Sequence, residues 1–222
     1  MLQAALLTGS RRRALACALF LAAAGLFPGC EDGGSDAQSS APPVKPWDFG
    51  DNDPSLVVAM GDSITAWGYP ELLDAMTSKS VVNLGHGGDH SAEGVSQVDS
   101  VLGTHKPGYL LVLYGANDIL HQRDPDSTID NLRYMIRAAS ANHTFPVIGT
   151  LTPMASYHEI WNGAVLSLNT QIVSLASETG AGLADLHKAF EGHEAEYLGT
   201  DGLHPTATGS VIIATTFLNE IE

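Results

Sequence analysis

Tyr109-Leu110-Leu111-Val112-Leu113-Tyr114 is a run of six apolar side chains with no polar interruption, ended by Gly115-Ala116-Asn117-Asp118. A strand with one wet face alternates, so an unbroken run closed by turn residues reads as a strand covered on both faces and central in its sheet. Working outward, residues 91–102 place Val95, Val98, Val101 and Leu102 on one helical face, and residues 127–141 turn Ile129, Leu132, Met135 and Ile136 inward. Further strands are read at 55–60, 81–84, 145–151 and 182–186, and further helices at 70–76, 162–177 and 207–219. Strands alternating with helices predict an α/β fold, a five-stranded parallel sheet with helices on both faces in a three-layer α/β/α sandwich. The sequence contains no internal repeat.

The chain has 222 residues, which fits one domain with appendages. Ten Lys+Arg against 25 Asp+Glu give a formal charge of −15. Phosphate neutralisation needs a basic patch, so this balance argues against a nucleic-acid partner. Two cysteines cannot build a disulfide framework, and 44% hydrophobic with 16% charged residues describes a core-forming chain rather than a disordered one.

The first 29 residues read as a signal peptide. Arg11-Arg12-Arg13 precede an apolar run from Ala14 to Gly29, too short for the roughly 20 residues of a spanning helix. The run ends Leu26-Phe27-Pro28-Gly29-Cys30, which resembles a bacterial lipobox and makes Cys30 the expected lipidation site. Residues 31–46 offer almost nothing to bury, so residues 30–53 are expected to be a lipidated cysteine and a tether, with the folded domain at 54–222. The expected location is extracytoplasmic, on a membrane through Cys30, facing the periplasm or the cell surface. Cleavage removes three arginines and no acid, taking the charge from −15 to −18. Such a field lowers the local concentration of anionic substrates relative to neutral ones.

Ligands of open α/β sheets bind at the carboxyl ends of the strands. Gly61-Asp62-Ser63-Ile64-Thr65 follows the first strand, Gly85-His86-Gly87-Gly88-Asp89 the second and Gly115-Ala116-Asn117-Asp118 the third, while Asp201-Gly202-Leu203-His204-Pro205 precedes the last helix. A serine at a strand end is placed to be a nucleophile. His204 can be its base, and Asp201 can accept the other ring N–H if one tight turn, eased by Gly202, brings both side chains together. Glycine-loop amides and the Asn117 side chain can supply oxyanion donors. Asp62 and Asp118 read as loop braces.

These four blocks, in this order over about residues 55–218, resemble the GDSL or SGNH hydrolase family, near its arylesterase, lysophospholipase and thioesterase-like members. The resemblance implies a flavodoxin-like sheet, a catalytic Ser63–Asp201–His204 set and an oxyanion hole from Ser63, Asn117 and Gly88, with Gly85 as the other glycine that fits. It also implies serine-esterase chemistry with no cofactor and a small-molecule ester as substrate. Relative to the thioesterase-like members, the segment between Ser63 and Pro70 is short, which points to short-chain acyl or aryl esters, with a lysophospholipase/thioesterase or a carbohydrate acetylesterase as the alternatives within the esterase reading.

Two other readings remain open at this point. His86, Asp89 and His90 have a metal-ligand composition and would make a metal-dependent hydrolase, although they lie in a glycine loop and spacing assigns no further ligand. A non-catalytic binding module could use the same crevice. Gly85-x-Gly87-x-x-His90 fails the dinucleotide fingerprint at its last position, there is no Walker-type loop, and Thr65 stands where the α/β-hydrolase elbow has glycine. Trp67, Tyr69, Tyr157 and Trp161 could line the pocket but read first as amphipathic covers of the core, and His187 and His193 read as surface histidines.

Two acyl chains suffice for stable anchoring where one is marginal. Cys30→Ala is therefore expected to move the protein from the membrane to the soluble secreted fraction with its activity intact, as read by fractionation and ester turnover. An unchanged distribution removes the lipid anchor.

Overall fold

The computed structural model describes residues 46–222. The segments read as a signal peptide and, up to residue 45, as a lipidated Cys30 with its tether lie outside the described residues. Five parallel strands form the sheet: β1 (Asp53–Gly61), β2 (Ser80–Asn83), β3 (Pro107–Leu113), β4 (Phe145–Gly149) and β5 (Gly182–Ala184), in the order β2-β1-β3-β4-β5. The apolar run at 109–114 supplies most of β3, the middle strand, as expected. Leu110, Leu111 and Val112 of β3 and Val57 to Met60 of β1 are wholly buried, as strands covered on both faces must be.

The covering helices form two layers. Packed together on one face are α3 (Ser91–His105), α5 (Pro125–Ala141) and α6 (Asn162–Thr179); on the other, α2 (Tyr69–Met76) and α9 (Ala207–Ile221), with α7 (Leu186–Phe190) and α8 (Glu194–Tyr197) against α9. Two more short helices, α1 (Ser63–Ala66) and α4 (Ala116–Leu120), start directly after β1 and β3. The chain runs from β1 to β2 on one side and then crosses to β3 on the other, so the strand order reverses between β1 and β3. Such a reversal is where open α/β sheets bind ligands, and Ser63 and Asn117 follow its two strands.

Three departures from the sequence reading bear on the packing. The folded body begins before residue 54: Trp47 packs edge-on against Phe145 and donates its indole N–H to the His143 carbonyl, while Asn52 donates to the Asn142 carbonyl at 2.6 Å. These apolar and amide groups gain partners on the lower edge of the sheet, so residues 47–53 belong to the domain rather than to the tether. β5 stops at Ala184 because the Asp185 carboxylate accepts from Lys188 N–H and caps α7. The inward face of α3 is Ser91, Gly94, Val98 and Leu102, with Val95 and Val101 only flanking it.

Gly94 is the reason for that last shift. A methyl group placed there would lie 2.7 Å from Met135 Sδ and 2.8 Å from the buried Tyr114 ring, so the helix approaches β3 and α5 through the missing side chain. Gly103 in the same helix faces open space. Gly94→Val is expected to lower stability by about 1–3 kcal/mol through overpacking, while Gly103→Ala raises it by up to about 1 kcal/mol through helix propensity. Urea midpoints check both; equal signs would contradict the packing described.

Candidate active site

The Asp62 carboxylate accepts the Ile64 N–H at 2.9 Å, capping α1 and turning Ser63 into the first helical residue. A methyl group on Gly61 would meet Thr65 Oγ1 and the Leu113 carbonyl, so only glycine admits this tight strand-to-helix passage. Ser63 Oγ emerges 2.9 Å from His204 Nε2. His204 Nδ1 lies 2.6 Å from Asp201 Oδ2, and the other Asp201 oxygen accepts the backbone N–H groups of Leu203 and His204 at 3.0 and 3.1 Å. With Nδ1–H donating to Asp201, Nε2 is left to accept the serine proton.

The turn holding Asp201 and His204 together is built as Gly202 suggested. Gly202 has φ +69° and a methyl group there would strike the Ala155 carbonyl, while Ala155 N–H donates to the Gly202 carbonyl at 2.8 Å. His158 Nδ1 stands 2.8 Å from the Asp201 carbonyl, so its N–H ties the same turn to the 3₁₀ segment Ser156–Trp161. Partial burial pushes the Asp201 carboxyl upward, but the His204 ring and the two backbone N–H groups outweigh it and hold it below the usual carboxylate range. Asp201 is thus suited to remain an anion beside a charged imidazole.

The structure separates the two candidate glycines. Gly85 N–H donates to Asn83 Oδ1 at 2.9 Å, and a methyl group on Gly85 would lie 2.4 Å from Ala66 N; it is a close-packing glycine against α1. Gly88 has φ +89° and open space around its α-carbon, and no acceptor takes its N–H among the described residues. Asn117 Nδ2 donates to the Asp89 carbonyl at 2.9 Å. An amide nitrogen carries two hydrogens, so that bond fixes the group and leaves the second N–H free. Asp118, next in sequence, accepts from Ser91 N–H and Ser91 Oγ–H at 3.0 and 2.7 Å and from Thr128 Oγ1–H at 3.2 Å, tying α4 to the start of α3. Both aspartates brace loops, as read.

His86, Asp89 and His90 do not converge. His86 pairs with Asp89 at 2.8 Å, while His90 Nε2 faces His121 Nδ1 at 3.0 Å and His90 caps α3 with Glu93. Among the described residues, no three His, Cys, Asp or Glu side chains stand together as a metal site. The aromatic reading is corrected in part. Tyr69 is wholly buried and stacked on Phe217, and Trp161 packs against the core, but Trp67 and Tyr157 are 65% and 66% exposed. Trp67 stands against His204, with ring centroids 4.8 Å apart. A single tryptophan in a loop gives no periodicity, so nothing local in the sequence signals this contact.

With this geometry in place, comparison with known proteins is specific. The model of the GDSL-like lipase/acylhydrolase family matches residues 59–212. The thioesterase 1/protease 1/lysophospholipase L1 of Escherichia coli K12 is 29% identical over 168 residues, 71% of this chain and 79% of that protein. The fold is shared with a GDSL-like lipase from Bacteroides thetaiotaomicron, at 21% identity over 76% of this chain and 88% of that one with TM-score 0.67. It is shared as well with an acetyl xylan esterase from Geobacillus stearothermophilus, at 20% identity over 77% and 95% with TM-score 0.65.

Burial pushes the Asp62 carboxyl up to about 7, against the opposing pull of the Ile64 N–H and His204. A carboxyl raised above its ordinary 3.8 holds its proton more tightly folded than unfolded, so between about 4 and 7 its contribution to stability falls as pH rises. Asp62→Asn keeps an oxygen for Ile64 and removes the ionisation. Urea unfolding at pH 4, 5.5, 7 and 8 is expected to show wild type losing ground to Asp62→Asn up to about pH 7 and then levelling. A constant gap would contradict the assignment.

Proposed function

The chain belongs to the GDSL-like lipase/acylhydrolase family, and from that premise we propose that it is a serine esterase acting on short-chain acyl or aryl carboxylic esters through an acyl-enzyme on Ser63. The observation that carries the reading is the hydrogen-bonded row Ser63–His204–Asp201 at 2.9 and 2.6 Å, beside a free glycine N–H and a fixed carboxamide.

Ser63 Oγ attacks the ester carbonyl carbon as its proton passes to His204 Nε2, and the carbonyl electron pair moves onto oxygen. That oxyanion is held by Ser63 N–H, Gly88 N–H and the second Asn117 N–H. Asp201 stays ionised and keeps the imidazolium in place. As the tetrahedral centre collapses, the bond to the leaving oxygen breaks and that oxygen takes the proton from His204. Water then attacks the acyl-Ser63 ester with His204 again as base, releasing the carboxylic acid and restoring the serine. Every proton is accounted for by His204 and water. The −18 charge after leader removal favours neutral esters over acyl-CoA or anionic lysophospholipids, and the short 63–70 segment favours small acyl groups. Two relatives, the thioesterase 1/protease 1/lysophospholipase L1 and the acetyl xylan esterase, mark by their names the neighbouring ester classes to assay. Anchoring through Cys30 belongs to the same proposal and puts the site outside the cytoplasm.

Ser63→Ala and His204→Ala are expected to abolish nearly all turnover of a neutral acetate ester. Asn117→Ala is expected to lower kcat by about 10²–10³-fold with little change in KM, because its N–H bonds the oxyanion more than the ground-state carbonyl. Steady-state kinetics on folded variants decide it. Full activity in Ser63→Ala would end the reading, and a rise in KM alone for Asn117→Ala would make that residue a substrate binder.

A further inference from the structure

Trp67 is a large apolar side chain left mostly in water. It is the residue that closes α1, and Gly68 beyond it, at φ +140°, separates it from Tyr69. The two aromatics part company there, with Tyr69 0% and Trp67 65% exposed. The fold thus buries one ring completely and leaves a larger one in water, against a driving force of about 25 cal/mol for each Å² left uncovered. Exposure of one large apolar group is ordinary on a protein surface, so its position decides what it means.

That position is the rim of the site. The indole and the His204 imidazole are 4.8 Å apart between centroids, tilted by 44°. A methyl group on Gly87 would lie 3.4 Å from Trp67 Cζ2 and 3.9 Å from Ser63 Cβ. The ring therefore extends from the base toward the 85–89 loop, beside the nucleophile, with most of its surface open.

The chemistry of the site says which part of an ester meets that ring. The carbonyl oxygen must point at Ser63 N–H, Gly88 N–H and Asn117, whereas the leaving oxygen must come within hydrogen-bond reach of His204 Nε2 to take its proton. A group attached to the leaving oxygen consequently lies on the His204 side, where Trp67 stands. Stacked or tilted aromatic pairs favour centroid separations of about 4.5–7 Å, and the indole is at such a distance from the imidazole already.

Resting on the esterase reading, we infer that Trp67 is a specificity-determining residue: its exposed face is the leaving-group subsite and stacks the flat ring of an aromatic alcohol, selecting aryl over alkyl esters. It bonds to no reacting atom. Because the contact is made to the alcohol before it leaves, the selectivity is read in kcat/KM, which covers acylation and no later step.

The test compares phenyl acetate with ethyl acetate, which share the acyl group, in wild type, Trp67→Ala and Trp67→Phe. Dividing each substrate's loss by the other's cancels the intrinsic difference between phenol and ethanol as leaving groups. Trp67→Ala is expected to lower kcat/KM for phenyl acetate about tenfold more than for ethyl acetate, and Trp67→Phe to restore most of that difference. The side chain is exposed, so melting temperatures of the variants should match wild type. An equal fall on both esters would mean that the indole only orients His204, and no fall on either would mean that it is an idle surface residue; each overturns the subsite. A wild-type protein that hydrolyses neither ester instead removes the esterase reading, and the subsite with it.

Discussion

The contact between Ser63 Oγ and His204 Nε2 joins the two ends of the domain across 141 residues of chain, and the rest of the structure is arranged so that it can form. Neither side chain comes near the other through local structure. Ser63 is delivered by the first strand and its abrupt passage into α1, and His204 by a turn ahead of the last helix. A hydrogen bond of this kind is worth only about 1 kcal/mol net, too little to draw two loops together against their entropy. The scaffold must therefore hold both loops in place independently, and most of the buried polar groups around the site serve that end.

On the Asp201 side the holding is done by backbone. Gly202 takes a left-handed conformation against Ala155, the Asp201 carboxylate gathers two main-chain N–H groups, and His158 fastens the same turn from outside. On the Asn117 side it is done by carboxylates and amides. Asp118 links the helix after β3 to the helix after β2, and Asn117 is pinned to the Asp89 carbonyl between them. The price of this rigidity is visible at Asp62, a buried carboxyl next to Ser63 whose ionisation the interior opposes. A site fixed in advance needs no reorganisation when charge develops, which is where electrostatic stabilisation is strongest.

Much of this was legible in the sequence, for physical reasons. Strands buried on both faces leave unbroken apolar runs, long amphipathic helices leave a 3.6-residue period, and loops that must present chemistry at strand ends concentrate Gly, Asp, Ser, Asn and His in short blocks. What stayed hidden lacks such a pattern. The helices α1, α4, α7 and α8 span four or five residues, too few for a period to register. Trp47 and Asn52 belong to the domain because of partners around residues 142–145, far along the chain. Gly85 and Gly88 look alike in sequence and differ only in what their N–H groups and α-carbons meet in space. His90 lies near His86 in the chain, yet its ring faces His121 on another element. Trp67 is the most consequential of these, since exposure beside His204 is a property of two loops rather than of one.

The central claim is that Ser63 is a nucleophile activated by His204. It is tested most directly by treating the purified protein with an uncharged alkyl fluorophosphonate and reading intact mass, followed by peptide mapping. The expected result is a single adduct on the peptide carrying Ser63, formed rapidly in wild type, far more slowly in His204→Ala and not at all in Ser63→Ala. An unmodified wild-type protein, or an adduct on another residue, would contradict it.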